Sequence, residues 1–434
     1  MKTIRHLLLF GLLLSAFGLV CHAATRVVAP GTTIQAAINA SATGDLIVVL
    51  PGTYDEDLVI NGKGLTIRSQ NQLSQVRSIQ VLNAPAPCKF TYLRTVHDFN
   101  ATSSSVTLTK SSVTGDLNAV KSSLRMIKCD VDGNVTVADS TNDANQELEA
   151  VILQSTIWEK LTCKAKRSWI CYNVIRHCYL EGEVEVTGND FNGRGVHSIP
   201  EQQFPGIGID VNGAATVVRI RNNQVRNYAT STDANLNEQC IGIRINGGAK
   251  ADIVNNLIYD CKDHNGDGEA TNSGMGIFVQ STTGTKILGN AIWGCYASGV
   301  NVINGDRLVW APKANVTLQY NNLWQYYPSW VDEALVGGGV VNLDAINADP
   351  KLIGGNPYDN NLQSDSPCID KGPPDAQYND LDGSRNDIGM HGGHGYLPDG
   401  RTTDKPIVLG IKADPIFVPA GGIITIQSTG AAPK

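Results

Sequence analysis

Through most of this chain apolar and polar residues alternate over runs of four to six positions rich in Val, Ile and Thr, and Gly or Asn interrupts each run. A period of two is the pattern of short β-strands with one face in a core and the other in water. The runs also recur. Ile220-Arg-Asn-Asn223-Gln-Val225, Ile253-Val-Asn-Asn256-Leu-Ile258, Ile287-Leu-Gly-Asn290-Ala-Ile292 and Leu318-Gln-Tyr-Asn321-Asn-Leu323 align without gaps, their key asparagines 33, 34 and 31 residues apart. A second strand motif precedes three of these turns and follows the fourth: Gly208-Ile-Asp-Val211, Gly242-Ile-Arg-Ile245, Gly276-Ile-Phe-Val279 and Gly299-Val-Asn-Val302. Upstream the repeat shortens, with Asn173-Val-Ile175 and Asn189-Asp-Phe191 spaced by 16 and Ser111-Ser-Val113 and Cys129-Asp-Val131 by 18. Periods of 16 to 18 read as bare coils of a solenoid, and periods near 34 as the same coil bearing a loop. Helical repeats of similar length need two amphipathic helices of about a dozen residues per unit, and these interrupted segments are too short for that. An all-β stack of parallel coils is predicted.

Strand phase then sorts the side chains. Ile209 and Val211 point inward, so Asp210 and Asn212 point outward. The same phase predicts an outward row of Asp210, Arg244, Phe278 and Asn301, with Asn212, Asn246 and Gln280 beside it and rungs ~4.8 Å apart. This row is the best candidate groove. Arg244 and Asp210 are its candidate catalytic residues, and Asn212, Asn246, Phe278, Gln280 and Asn301 its candidate substrate-binding residues. An arginine central in an acidic protein can hold a uronate carboxylate, or act as the base in β-elimination if its environment keeps it partly deprotonated. Equally, the row is an exposed Arg–Asp pair beside an aromatic ring, and an arginine pKa above ~12 makes a poor base. Asn223, Asn256, Asn290 and Asn321 are expected to stack at one corner, their amides bonding along the solenoid axis. The same register places Cys261 on Cys295, as reduced thiols.

The termini and composition narrow the setting. Met1 to Ala24 has a basic start at Lys2 and Arg5, an apolar run from Leu7 to Val20 and a small-residue cleavage site, the pattern of a secretory signal. The run is shorter than the ~20 residues that span a bilayer, so no transmembrane anchor is expected. Loss of Lys2 and Arg5 moves the formal charge from −7 to −7 − 2 = −9, which argues against a nucleic-acid partner. Of ten cysteines, removal of Cys21 leaves nine, an odd number expected mostly as buried small hydrophobes. Domain limits of 1–24 for the signal, 25–396 for the coils and 397–434 for a C-terminal β-hairpin or strap follow, with a monomer expected.

Residues 25 to 67, with Thr33-Ile-Gln-Ala-Ala-Ile-Asn39, Gly44-Asp-Leu-Ile-Val-Val-Leu-Pro-Gly-Thr-Tyr54 and Gly64-Leu-Thr-Ile67, resemble the opening of right-handed parallel β-helix proteins of the pectate-lyase-like superfamily. Residues 349 to 389, with Asn361-Leu-Gln-Ser-Asp-Ser-Pro367, Ile369-Asp370-Lys-Gly372 and Asp380-Leu-Asp-Gly383, resemble the closing segment of many bacterial members. With the repeats, the resemblance covers most of residues 25 to 396 and implies that fold. It says little about activity, since the superfamily holds lyases, hydrolases, epimerases and proteins without a known reaction. Ile34, Ala37 and Ile38 make a short helix that caps the first coil, and Asp370, Asp382, Arg385 and Asp387 are expected to tie down the last coils.

Asp263-His-Asn265-Gly-Asp267-Gly268 begins like a calcium loop, although position twelve is Gly274 rather than Glu. Asp263, Asn265 and Asp267 are the candidate metal ligands and Ca²⁺ the candidate cofactor. Arg194, His197, Glu201, Asp233 and Glu238 sit on loops entering the strands and form a second set of candidates. Gly393-His-Gly395 resembles one element of polygalacturonase-like hydrolases, but their paired aspartates and Arg-x-Lys element are missing. The Lys-Ser and Arg-His-Gly elements of alginate- and chondroitin-type lyases, and the Trp-x-Asp-His segment of pectate lyases, are missing too. Two functions are expected: an exported lyase or hydrolase of an acidic polysaccharide, or a non-catalytic surface protein that binds glycans along its stacked face.

Overall fold

The computed structural model describes residues 23–138, 147–193, 206–229, 239–263, 274–297, 308–312, 314–324, 336–354, 359–414 and 425–432. Its body is a parallel β-helix. One sheet stacks 13 strands, from Thr25–Val28 to Val316–Gln319, and a second system of 22 strands wraps the remaining faces. In the bare coils Val106 pairs with Leu124, 18 residues on, whereas Ile220 pairs with Ile253 and Ile253 with Ile287 where coils carry loops. The spacings read from the sequence are therefore the true coil periods.

Alternation builds the core. In Asp57–Asn61 the burial alternates residue by residue, with Leu58 and Ile60 fully inside. One continuous cluster of such residues runs from Val28 to Val340. All nine described cysteines are buried and no disulfide joins any of them. The Cys261 thiol hydrogen-bonds Cys295 on the next rung, and that bond, followed by burial, pushes its pKa up. Gly242 fits where the strand bends around this corner, because a Cβ there would lie 2.6 Å from the Gly276 carbonyl oxygen and 2.8 Å from Ile258.

The asparagine corner is as expected and longer. Backbone N–H and side-chain Nδ2 of each asparagine donate to Oδ1 of the next, through Asn173, Asn189, Asn223, Asn256, Asn290 and Asn321, at 2.9–3.0 Å. The preceding residue on each rung, Tyr172, Gly188, Asn222, Asn255, Gly289 or Tyr320, has φ between 54° and 69°. That left-handed residue turns the chain through the corner and leaves any side chain outside.

The first coil is capped by the helix Ile34–Ala40, which buries Ile34 and Ile38. Thr33 caps its N-terminus, and the Glu56 carboxylate accepts the Ile34 and Gln35 amides at 2.8 and 3.0 Å. The C-terminal segment joins the coils as expected and also braces itself. Arg385 lies 5.8 Å from the Tyr320 ring centroid and the Asp387 carbonyl accepts Asn255 Nδ2 at 2.7 Å, while Asp370 N–H donates to Asp387 at 2.8 Å, Ser384 N–H to Asp382 at 2.9 Å and Arg385 Nε to the Gly372 carbonyl at 2.9 Å. So braced, the segment forms a strap running back along the outside of the corner. Asn255 donates to Asn386 and to the Asp387 carbonyl, Asn222 to the Met390 and Gly392 carbonyls, Gln154 to the Gly400 and Thr403 carbonyls, and Lys128 pairs with Asp404. The outward side chains of the left-handed residues supply these handles. An antiparallel hairpin, Ile407–Asp414 with Thr425–Ala431, ends the strap, with Ile407, Leu409 and Ala431 packed on Ile127, Val151, Leu153 and Cys171.

Candidate functional site

The register places Asp210 opposite Arg244 and Arg244 opposite Phe278, as the strand phase requires. Tyr179 precedes Asp210 in this row, and Trp310 follows Phe278. Trp310 therefore holds the fourth place, for which the sequence suggests Asn301. The fourth strand is Val309–Trp310, which precedes its turn like the others, and the Leu308 carbonyl accepts the Ile277 amide at 3.0 Å. Leu308 stands where the earlier coils have glycine, which erased the mark the sequence pattern relied on. Asn301 itself lies outside the described residues, as do Asn265 and Asp267. Asp263 closes the strand Leu257–Asp263, and its side chain too lies outside them. The loop residues Arg194, His197, Glu201, Asp233 and Glu238 are likewise outside. Among the described residues no group of three His, Cys, Asp or Glu side chains is arranged to hold a metal.

Arg244 and Asp210 form a fork-on-fork pair: Nε meets Oδ1 at 2.9 Å and Nη2 meets Oδ2 at 2.7 Å, while Nη1 reaches Gln239 Oε1 at 3.3 Å. Their side chains are 22% and 14% exposed, so the pair is partly withdrawn from water rather than displayed on the surface. Phe278 is withdrawn further. At 3% exposure it packs with Ile241, Met275, Ile207 and Trp310 in an apolar cluster apart from the coil interior, its ring 5.2 Å from that of Trp310. It is lining, not an open platform for a sugar ring. Asn246 spends its Oδ1 on the Gly247 amide at 2.7 Å, and Gln280 is exposed.

Asn212 leads to a group that the sequence pattern did not flag. Its Nδ2 donates to the Tyr179 hydroxyl at 2.9 Å, and that hydroxyl donates to Glu181 Oε1 at 2.6 Å. The Lys160 and Lys164 ammonium groups lie 5.6 and 5.1 Å from the Tyr179 ring centroid, and Lys164 also meets Glu181 at 3.1 Å. Burial and the Glu181 hydrogen bond push the Tyr179 pKa up, so its hydroxyl is protonated at neutral pH. The bulge between Ile157 and Lys160 hid this cluster, because it breaks strict alternation just where the lysines turn outward. Beneath it, burial lowers the His177 pKa to about 4, and Nδ1 lies 3.3 Å from the Ile207 carbonyl oxygen. His177 is neutral at physiological pH.

No family model and no curated protein matches the chain. Among solved structures it is similar to the pectate lyase Pel9A, with 13% identity, a TM-score of 0.35 and coverage of 85% of this chain and 96% of that one. A second is a mutant of the PL6 family alginate lyase AlyGC, with 12% identity, a TM-score of 0.39 and coverage of 79% of this chain but only 56% of that one. The parallel β-helix rests on the ladders of this chain itself, and likeness at this level leaves activity to be argued from the site.

Proposed function

We propose that this is an exported carbohydrate-active β-helix protein that takes an acidic polysaccharide across the row formed by Lys160, Lys164, Tyr179, Asn212 and Arg244. The observation that carries the reading is the pair of ammonium groups gathered on Tyr179 on the outer face of a chain whose formal charge is −7. In an acidic protein such a patch favours anions, and a uronate offers both a carboxylate for Lys160 and hydroxyls for Asn212 and Glu181. Among the described residues Lys160 meets no carboxylate, which leaves its charge for a ligand. If the bound chain is cleaved, β-elimination is the reaction these groups support. Lys160 offsets the uronate charge so that the α-proton becomes acidic, the Glu181 carboxylate takes that proton, Tyr179 gives its own to the leaving glycosidic oxygen as the double bond forms, and proton return from Glu181 to Tyr179 along their hydrogen bond resets the pair.

The non-catalytic reading is favoured by the Arg244–Asp210 fork, which closes the side chain that the sequence offered as base. One experiment addresses both. Polygalacturonate, alginate and chondroitin sulfate are titrated against the protein, with dextran as the neutral control, and ultraviolet absorbance and reducing ends are followed. Lys160→Ala should lower affinity for an acidic polymer by about tenfold, the loss of one charge-assisted contact. Equal binding of dextran, or an unchanged Lys160→Ala, would falsify the reading. Unsaturated product identifies a lyase, reducing ends without absorbance a hydrolase, and neither a binding protein. Ca²⁺ at Asp263, Asn265 and Asp267 is carried by the sequence motif alone, and a melting temperature equal in calcium and in chelator removes it.

A further inference from the structure

A different face of the corner carries a second row. Tyr259 pairs in register with Trp293, and Trp293 with Trp324. The Tyr259 and Trp293 rings are parallel within 2° with centroids 4.6 Å apart, so the rung spacing itself stacks them. Gln224 Nε2 donates to the Tyr259 hydroxyl at 2.6 Å, and the Arg226 guanidinium on the preceding rung is held by both oxygens of Asp190 at 3.0 and 2.8 Å. The Tyr259–Trp293 stack is thus held in place by the protein's own contacts. Opposite it the first part of the strap stands off and leaves a cleft of about 310 Å³, lined by Trp293, Trp324, Asp349, Lys351, Gln363 and Asp365. That volume lies at the small end of the ~300–1,000 Å³ of ligand pockets.

We propose that this cleft is a saccharide subsite for a neutral sugar residue, separate from the Lys160–Arg244 row and independent of whether that row binds acidic chains. The wall carries two carboxylates and one ammonium. Lys351 Nζ is held by Asp365 at 2.5 Å and the Lys351 amide donates to Asp349 Oδ1 at 2.8 Å, which fixes the acceptors in place. The local sum is one negative charge, so a uronate is disfavoured. The Lys351 bond lowers the Asp365 pKa, leaving an ionised acceptor for sugar hydroxyls. An aromatic wall and preset carboxylate acceptors in one cleft suit a pyranose, which has apolar C–H faces and an equatorial belt of hydroxyls. Gln363 is engaged with the Leu352 carbonyl at 2.8 Å and holds the wall rather than the ligand.

The test uses the full chain and neutral hexasaccharides of β-1,4-glucan, β-1,4-mannan and α-1,4-glucan, titrated by calorimetry and tryptophan fluorescence, with hexagalacturonate as the acidic counterpart. At least one neutral hexasaccharide should bind. Trp324→Ala should weaken it about tenfold or more, Asp365→Asn several-fold, and Lys160→Ala not at all. Asp365 is 66% exposed, so its substitution leaves the fold intact and gives a reading even if Trp324→Ala unfolds the coil. The proposal is overturned if no neutral hexasaccharide binds, or if binding survives Asp365→Asn undiminished. Hexagalacturonate binding that depends on Lys160 tests the other row, so the two readings fail separately.

Discussion

The coils up to Ser155 and those from Asn173 onward solve the same corner with different side chains. In the first, serine hydroxyls each accept one amide from the preceding rung, as Leu93 N–H to Ser111 at 3.2 Å and Cys129 N–H to Ser155 at 3.1 Å, and donate to the carbonyl two residues back. In the second, Asn256 Oδ1 accepts two N–H groups of Asn223, and its Nδ2 reaches Ile220, Val254 and Asn290. A hydroxyl staples one contact; a carboxamide staples three successive rungs. The stronger staple begins on the 16-residue coil between Asn173 and Asn189, which carries Tyr179, and runs on through coils of uneven period, 34, 33, 34 and 31 residues, where the Trp293–Trp324 cleft lies. Uneven connections fix register poorly by themselves, and buried amide ladders restore it.

Breaking one rung in each half gives the largest contrast. Asn256→Ala removes every one of those bonds and strands buried donors on Asn223, a loss on the order of 4 kcal/mol. Ser111→Ala should cost about 1 kcal/mol, because a single neutral hydrogen bond is at stake. Urea denaturation of the two variants checks this, and equal losses would break the comparison. The Arg244–Asp210 pair comes next. Truncating Arg244 to Ala leaves a partly buried carboxylate alone and should cost about 1–3 kcal/mol, so Arg244 cannot be treated as a surface residue whose loss spares the fold. Its substitution tests function only when paired with a stability measurement.

What was legible in the sequence follows from how locally each feature is encoded. Ile209 and Val211 inside with Asp210 outside, the Asn223–Asn321 ladder, and the capping helix at Ile34–Ile38 all depend on period and residue type within a few positions, and the structure has them. Trp310 was hidden because its strand lacks the leading glycine of Gly276, so the pattern settled on Gly299 instead. Lys160 and Lys164 were hidden because a bulge shifts phase without any marker residue. Phe278 shows a third kind of limit. Its outward phase was correct, yet Ile241 and Met275 also leave the coil and bury it, and that packing between coils has no trace in a single repeat. The strap likewise joins Asn222 to Met390 and Asn255 to Asp387, contacts more than 130 residues apart that no local pattern announces.

Acid titration sharpens the comparison further, because the asparagine-stapled half contains His177. Burial depresses its pKa from the usual 6.5 to about 4, so the folded state prefers it neutral. The stability tied to it is complete above pH ~6.5 and is lost as pH falls towards 4, amounting to up to about 3 kcal/mol. Urea midpoints at pH 7 and pH 4 should fall for the wild type and fall less for His177→Gln. An identical fall in both would move the acid sensitivity elsewhere.

The smallest effect has the opposite sign and belongs to the strap. The Asp380 carboxylate accepts the amides of Gly393 and Asp387, but burial, reinforced by the nearby Asp387 and Asp382 charges, raises its pKa to about 6. Asp387 is raised by burial in the same way. A raised folded-state pKa means that stability is present in full below the ordinary value near 4 and is lost as pH rises through 6. The strap should therefore grip the corner more firmly at pH 4 than at pH 7, by about 1 kcal/mol once solvent screening at this half-buried site is allowed for. Hydrogen exchange of the 386–396 amides, corrected for intrinsic rates, reads this locally while the coils weaken through His177. Asp380→Asn keeps an acceptor oxygen and cannot titrate, so it should flatten the strap's pH dependence without touching that of the coils. If strap and coils loosen together on acidification, the strap has no separate electrostatic grip, and its protection reports only the corner beneath it.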